Sequence, residues 1–149
     1  MTKLDLLKEL FNRWQDERIN SITKLPASGS PREYYRIKGE NYSAIGTINL
    51  DRDENEAFIS FSRHFHNLGL AVPEIYAQDL DRHAYLQEDL GDMSLFEFVV
   101  RDARDGDFSE ELMVFYKQVL SDLQHFQISG APGLDYSLCY PRSSFDRQS

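Results

Sequence analysis

The chain has 149 residues, 41% of them hydrophobic and 13% aromatic, which suffices for one packed core and most simply for one domain. The formal net charge of -9 argues against binding to nucleic acid or to an anionic membrane, because both need clustered lysine and arginine. No apolar run has membrane-spanning length and no signal-peptide pattern opens the chain, so we expect a cytoplasmic protein. Cys139 is the single cysteine, which excludes an intramolecular disulfide and a Cys-rich zinc site and favours an ordinary thiol.

An amphipathic helix is predicted over residues 3–15, where leucines and aromatic residues recur at helical spacing. Residues 19–25 favour a first strand, which Pro26 ends. The residues expected on the apolar face of the helix are Leu4, Leu7, Leu10, Phe11 and Trp14.

A small-residue loop over residues 27–32 leads into an aromatic strand over residues 33–38. Glycine and serine add little bulk, so such a loop can bring backbone N–H groups close to a phosphate. The loop has one glycine and matches neither the Walker pattern nor the spaced glycines of a dinucleotide site. An ordinary hairpin turn is therefore the alternative interpretation.

A third strand is predicted over residues 42–50, and a helix follows that begins within residues 51–56 and ends at Gly69. Alternation in the strand and helical spacing after it indicate which side chains face the core. The residues expected to be buried are Tyr42, Ala44, Ile48 and Leu50 in the strand and Phe58, Phe61, Phe65 and Leu68 in the helix.

The start of this helix is rich in carboxylates. Asp51 with Glu54 and Asp53 with Glu56 are two overlapping candidate capping boxes. Glu54 lies four residues before Phe58 and so points toward the packed face, whereas Glu56 falls on roughly the opposite side of the helix. Glu54 then either caps its own helix or meets a cation from the sheet.

Residues 72–77 open a predicted fourth strand, residues 80–82 turn it, and residues 83–88 are the predicted fifth strand. A polar turn follows over residues 89–92, which we call the hinge turn. Ser94 and Glu97 form a capping box that opens the next helix. A polar turn between a strand and a helix can let main-chain groups reach a flat ligand. The alternative is an ordinary strand-to-helix turn whose acidic residues favour the helix N-terminus.

The order of these elements predicts an α+β fold, a five-stranded antiparallel sheet with one inserted helix plus flanking helices. A charged connector over residues 101–107 then precedes a long helix that Ser109 caps. After Gly130 the chain becomes irregular, and its end looks like a cut inside a larger protein. The apolar stripe expected on the long helix is Leu112, Tyr116, Val119, Leu123 and Phe126.

Five segments together resemble the N-terminal lobe of the aminoglycoside phosphotransferase and choline kinase superfamily, and within it the branch of bacterial N-acetylmuramate and N-acetylglucosamine kinases. The pair VPEI and EDLGD, in that order after a helix, is the most specific part of the resemblance. The resemblance implies a protein-kinase-like, nucleotide-binding lobe with its hinge over residues 1–92 and the truncated start of a helical second lobe over residues 93–149. The segments are LPASGS (25–30), YR (35–36), NEAF (55–58), GLAVPEI (69–75) and LQEDLGD (86–92).

The resemblance also implies how the phosphates of a nucleotide would be held. Ser28, Gly29 and Ser30 stand where the loop of that family covers the phosphates. The phosphate-pairing lysine expected on the third strand is absent, and its position is Gly46 or Thr47, depending on the register.

For the base, the resemblance places Gln87 at the back of an adenine pocket. The Glu88 carbonyl and the Leu90 N–H would be the hydrogen-bonding partners of the adenine. Glu54 is the expected helix carboxylate, although Glu56 matches the local motif as well.

Without the lysine, the charge on the phosphates must be met by other groups. The candidates are the backbone N–H groups of the loop, magnesium held by an absent half, and Arg32 or Arg36. Arg32 lies closer to the loop and is less committed to strand packing, so we expect Arg32 to be the nucleotide-binding arginine.

Phosphoryl transfer needs a group that orients the acceptor hydroxyl and carboxylates that hold magnesium against the phosphates. The resemblance places both after the long helix, and no suitable Asp and Asn pair follows there, so we expect no catalytic residue and no metal site in this chain. ATP and Mg²⁺ are the expected cofactors of a complete kinase, whose acceptor would be a sugar or aminosugar. This chain alone is expected to be inactive.

Two interpretations from other classes stay open. The first alternative is a noncatalytic, kinase-like regulatory module that binds a partner through the long helix. The second is a structural assembly domain. A lobe without its mate exposes apolar surface, so we expect this fragment to self-associate.

Overall fold

The computed structural model describes residues 2–27, 29–102 and 109–142. It is an α+β structure built on a five-stranded antiparallel sheet with the strand order β1-β2-β3-β5-β4. The strands are β1 (Ser21–Lys24), β2 (Glu33–Lys38), β3 (Ser43–Ile48), β4 (Ile75–Asp79) and β5 (Ala84–Glu88). The helices are α1 (Lys3–Trp14), α2 (Arg52–Asn67), α3 (Leu95–Asp102) and α4 (Glu110–Gln124). The predicted α+β class and antiparallel sheet with one inserted helix, α2, are confirmed.

One face of the sheet is covered by α1. Thr2 caps this helix through a capping box with Asp5. The prediction for Leu4 is wrong: its side chain is 41% exposed, and Leu6 is buried instead, because the face toward the sheet is centred on Leu7, Leu10 and Phe11. Leu7, Leu10 and Phe11 are fully buried. Burying each such side chain contributes about 1.5–3 kcal/mol, so this helix and the sheet form the main core. The helix side chains pack with Tyr35, Ile37, Ala44, Ile48, Ala84 and Leu86.

The two candidate positions of the absent lysine lie on opposite faces of the sheet, because successive strand residues alternate. Gly46 faces α1 so closely that an added Cβ would lie 2.7 Å from the Leu7 Cδ2 atom. Thr47 points to the other face, where it pairs across the strands with Tyr85. Thr47 is therefore the position that shares a face with α2.

Helix α2 and the segment after α4 pack against each other. A π-helical turn, His125–Ser129, continues α4 directly, and a 3-10 turn follows at Tyr136–Leu138. The rings of Phe65 and Phe126 meet edge to face at 5.1 Å, and His64 Nε2 donates to the Gly130 carbonyl over 2.7 Å. The chain after the long helix is thus anchored along α2.

The predicted buried faces of the third strand and of α2 are wrong in part. Tyr42 and Leu50 are exposed because they fall outside the hydrogen-bonded span of β3. In α2 the enclosed side chains are smaller ones, since the aromatic rings lie at the edge of the helix against Tyr85 and Phe126. The buried residues of α2 are Asn55, Ala57, Ile59 and Ser62, whereas Phe58, Phe61 and Phe65 are half-buried and Leu68 is exposed.

The apolar stripe predicted on α4 is mostly uncovered. Leu112 is fully buried, but the next positions of the stripe, Tyr116, Val119 and Leu123, are each at least 40% exposed. Leu120, one turn after Tyr116 at the edge of the stripe, is 66% exposed. The exposed side chains of α4 therefore form an apolar surface in contact with water.

Within the described ranges no helix is long and apolar enough to cross a membrane.

We expect this chain to self-associate through α4, because covering apolar surface of this extent lowers the free energy of the system. Sedimentation velocity should show a weight-average mass that rises with concentration. Leu120→Glu should lower the association, and Gln118→Glu on the same helix is the control for added charge. A clean monomer at every accessible concentration would contradict this expectation.

Candidate functional site

A cavity of about 540 Å³ lies on the sheet face opposite α1, beside the hinge turn. The predicted base-binding residues Gln87, Glu88 and Leu90 all line it, together with Leu25 and Pro26 from the loop after β1. The other lining residues are Tyr34, Arg36, Ile45, Asp89, Gly91, Asp92, Ser94 and Glu97. The structure thus brings Leu25 and Pro26 next to hinge-turn residues that lie about 60 positions later in the sequence.

Strand alternation explains why these side chains share the cavity. Gln87 pairs with Ile45 across β5 and β3, and both point away from α1. The Gln87 side-chain Oε1 is buried and has no hydrogen-bond partner among the described residues. The rear of the cavity is therefore walled by an apolar side chain and an amide with an unused acceptor.

The hinge turn is fixed from the sheet by Arg36. Its Nε lies 2.8 Å from Asp89 Oδ2, and its Nη2 donates to Asp89 Oδ1 over 3.0 Å. Its Nη1 lies 2.8 Å from Asp92 Oδ1. Ser43 Oγ and the Gly91 N–H also donate to the Asp89 carboxylate. Sequence reasoning named Arg36 only as a less favoured phosphate ligand, because nothing local shows that a strand residue meets carboxylates more than 50 positions later.

The electrostatics of Asp89 follow from these contacts. Burial by itself would raise the pKa of the Asp89 carboxyl, but the hydrogen bonds from Arg36 and the Gly91 N–H outweigh it and hold the pKa below its ordinary value. The carboxylate is therefore ionised at neutral pH, and the ion pair with Arg36 is formed.

A second cluster lies farther along the same face, around an ion pair between Arg32 and Glu54. Arg32 Nη2 lies 2.9 Å from Glu54 Oε1, and Asn49 Nδ2 donates to Glu54 Oε2 over 2.7 Å. The Asp51 side chain caps α2 by accepting from the Glu54 N–H. Of the two carboxylates left open by the sequence, Glu54 is the one that points inward and meets a cation, and Glu56 is exposed.

An aromatic ring, that of Phe58, packs against the Arg32 guanidinium. The guanidinium lies 5.3 Å from the centre of the Phe58 ring, which in turn lies 5.4 Å from the Tyr85 ring. Burial raises the pKa of the Tyr85 hydroxyl to about 12, so this hydroxyl is neutral at physiological pH. The cluster presents one positive group, Arg32, whose side chain is only 15% exposed.

The cavity and the Arg32 cluster are one step of strand alternation apart. Tyr34 in the cavity is two residues after Arg32, and Gln87 is two residues after Tyr85. With a rise of about 3.3 Å per residue, the cluster begins about 7 Å along each strand from the cavity. A flat group at the hinge turn and an anionic group at Arg32 can therefore belong to one elongated ligand.

The predicted phosphate loop is described in part. Gly29 has a positive φ of 30°, which glycine adopts without strain, and an added Cβ would meet no atom within 4 Å. Ser30 Oγ accepts from the Arg32 N–H over 3.3 Å, so the loop joins the Arg32 cluster directly. Ser28 lies outside the described residues. Among those described, no group of three or more His, Cys, Asp and Glu side chains is placed to hold a metal ion.

No family model matches the chain. Compared with curated proteins, it is 29% identical over 114 residues to the N-acetylmuramate/N-acetylglucosamine kinase of Pseudomonas putida, a match that covers 74% of this chain and 34% of that protein. The chain thus spans about a third of the length of this relative. The match supports, at a distance, the relationship to sugar kinases that the motifs predict.

Proposed function

We propose that this chain is the ATP-binding lobe of a small-molecule kinase that transfers the γ-phosphate of ATP to a hydroxyl of a sugar or aminosugar. The observation that carries the proposal is the cavity of about 540 Å³ at the hinge turn, which Gln87, Glu88 and Leu90 line together. The distant relationship to a sugar kinase supports the acceptor class. On this proposal the nucleotide-binding lobe ends at residue 92 and residues 93–149 begin a helical second lobe.

The base would bind edge-on to the hinge turn. The adenine amino group donates to the Glu88 carbonyl, and the ring nitrogen beside it accepts from the Leu90 N–H. Leu25, Pro26 and Ile45 supply apolar contacts for the ring. Because backbone groups read the base, the side chain of Leu90, which is exposed, contributes little to recognition.

The phosphates would extend toward Arg32. Arg32, paired with Glu54, would supply the positive charge that a lysine at position 47 would otherwise supply. Gly29, Ser30 and Ser28 would cover the phosphates through their backbone. Magnesium would neutralise part of the phosphate charge. Among the described residues no group of three or more His, Cys, Asp and Glu side chains is placed to hold the ion, and we assign Mg²⁺, the catalytic base and the acceptor pocket to the remainder of a complete kinase.

The test separates binding from transfer. We expect this chain to bind ATP in calorimetric titrations but to transfer no phosphate to any of a panel of sugars and aminosugars, because the proposal assigns the base and the metal ligands to the rest of the kinase. A version extended to the full length of the kinase relative should transfer phosphate. Transfer by this chain alone would contradict the division of the site, and absence of ATP binding would contradict the proposed function.

A noncatalytic interaction module is the second candidate, and the exposed apolar surface of α4 favours it. The extended gene sequence decides between the two. A loop that carries a catalytic Asp, followed by a metal-binding Asp, supports the kinase, and their loss supports the interaction module.

A further inference from the structure

The carboxylate side chains of the hinge turn, Asp89 and Asp92, form ion pairs with Arg36 of β2. Asp89 receives two contacts from Arg36, one from Ser43 and one from the Gly91 N–H, and its side chain is 9% exposed. The Arg36 side chain is 15% exposed. Two ionised groups so far removed from water are held by their mutual contacts, so loss of Arg36 leaves the Asp89 carboxylate as a buried charge without its cation.

The second carboxylate of the turn is held less firmly. Asp92 also pairs with Arg36, but its side chain is 82% exposed, and exposed ion pairs contribute little. Gly91 between them has a positive φ of 83°, and its N–H donates to Asp89. The conformation of the turn is therefore set mainly by the Arg36 and Asp89 pair.

This pair lies between the two backbone groups that would read the base. Asp89 separates Glu88 from Leu90, so the orientation of the Asp89 side chain constrains the peptide planes on both sides of it. On the other side, the Glu88 N–H donates to the Glu74 carbonyl over 2.9 Å, which ties the beginning of the turn to the chain before β4. The contacts of Asp89 with Arg36, Ser43 and the Gly91 N–H hold the later part, where the Leu90 N–H is located.

We propose that Arg36 is a positioning residue that acts through Asp89 to aim the Glu88 carbonyl and the Leu90 N–H into the cavity. This inference rests on the proposed function. Arg36 thereby differs in role from Arg32, because Arg36 serves the base end of the nucleotide and Arg32 serves its phosphate end.

The test uses two part-ligands. Adenosine carries the base without phosphates, and inorganic tripolyphosphate carries phosphates without a base. In calorimetric titrations, or in competition with a fluorescent ATP analogue, we expect Arg36→Leu to weaken adenosine binding about tenfold or more and to leave tripolyphosphate binding within about twofold. Arg52→Leu, which removes the exposed ion pair with Asp81, is the matched control and should change neither affinity.

Two further variants keep the test valid if Arg36→Leu does not fold. Arg36→Lys retains the charge but loses the two-pronged contact, and Asp89→Asn removes the charge of the partner, so each should weaken adenosine binding severalfold. The double variant Arg36→Lys with Asp89→Asn should be no worse than the stronger single variant, because both act on one contact.

The outcomes are distinct. If folded Arg36 and Asp89 variants have a lower melting temperature but bind adenosine like the unaltered chain, the pair is only structural and the inference is overturned. If the Arg36 variants lose tripolyphosphate and adenosine binding equally, the assignment of Arg36 to the base end is overturned. If the unaltered chain binds neither ATP nor adenosine, the proposed function fails, and that result is recognised before any variant is made.

Discussion

Arg32→Ala should weaken the binding of ATP to this chain, and should raise the KM for ATP in a full-length kinase, while adenosine binding stays unchanged. On the proposed function the guanidinium is the positive group that meets the phosphates, and a well-formed charge-assisted contact contributes about 1.5–3 kcal/mol, or roughly ten- to a hundredfold in affinity. The structure strengthens the case for a defined role, because Arg32 is largely buried and held by Glu54 and Phe58.

The controls separate charge from packing. Arg32→Lys keeps a positive charge and should lose less affinity than Arg32→Ala. Thr47→Ala should have a much smaller effect, since this position replaces the expected lysine with an uncharged side chain. Superimposable ATP titrations of the unaltered chain and Arg32→Ala would mean that the loop of Gly29 and Ser30 holds phosphates through its backbone alone.

Gly46→Ala should lower the free energy of unfolding by about 1–3 kcal/mol, the usual cost of overpacking a filled core. The added methyl group would lie 2.7 Å from Leu7 Cδ2 and 3.2 Å from Ile37 Cδ1, and both side chains are fully buried. The entropic gain of replacing glycine in a strand, about 0.5–1 kcal/mol, is smaller. Urea denaturation measures the difference.

A double-mutant comparison identifies the cause. In a Leu7→Ala background the added methyl group has room, so Gly46→Ala should there be neutral or stabilising. Ser21→Ala, on the exposed strand β1, is the control for a small change in a strand. If Gly46→Ala destabilises equally in both backgrounds, the close approach of α1 to β3 is not the reason.

Local sequence patterns predicted the elements of this fold well because each depends on neighbouring residues. The box of Ser94 and Glu97 forms as expected, with the Ser94 N–H donating to the Glu97 carboxylate over 2.8 Å. The Glu33–Lys38 strand has the predicted bounds. Gln87, Glu88 and Leu90, which the family resemblance and not a local pattern placed together, all line the cavity.

Other features depend on contacts that sequence spacing does not show. The burial of small α2 residues in place of its phenylalanines depends on which side of the helix meets β4 and the chain after α4. The pairing of Arg36 with Asp89 joins residues 53 positions apart, and that of Arg32 with Glu54 depends on how the loop before β2 meets α2. A charged residue on a strand gives no sign, in its own segment, of the partner it will meet.

The contact between Arg36 and Asp89 also determines where the molecule can bend. Glu88 and Asp89 are bonded to the chain before β4 and to Arg36 of β2, so we expect this part of the turn to move together with the sheet. The next residues, Met93 and Ser94, are exposed and lie just before α3. In a complete kinase that opens its nucleotide cleft, the chain would then bend after residues 88–91. The Glu88 carbonyl and the Leu90 N–H would keep their orientation relative to the sheet while the cleft opens.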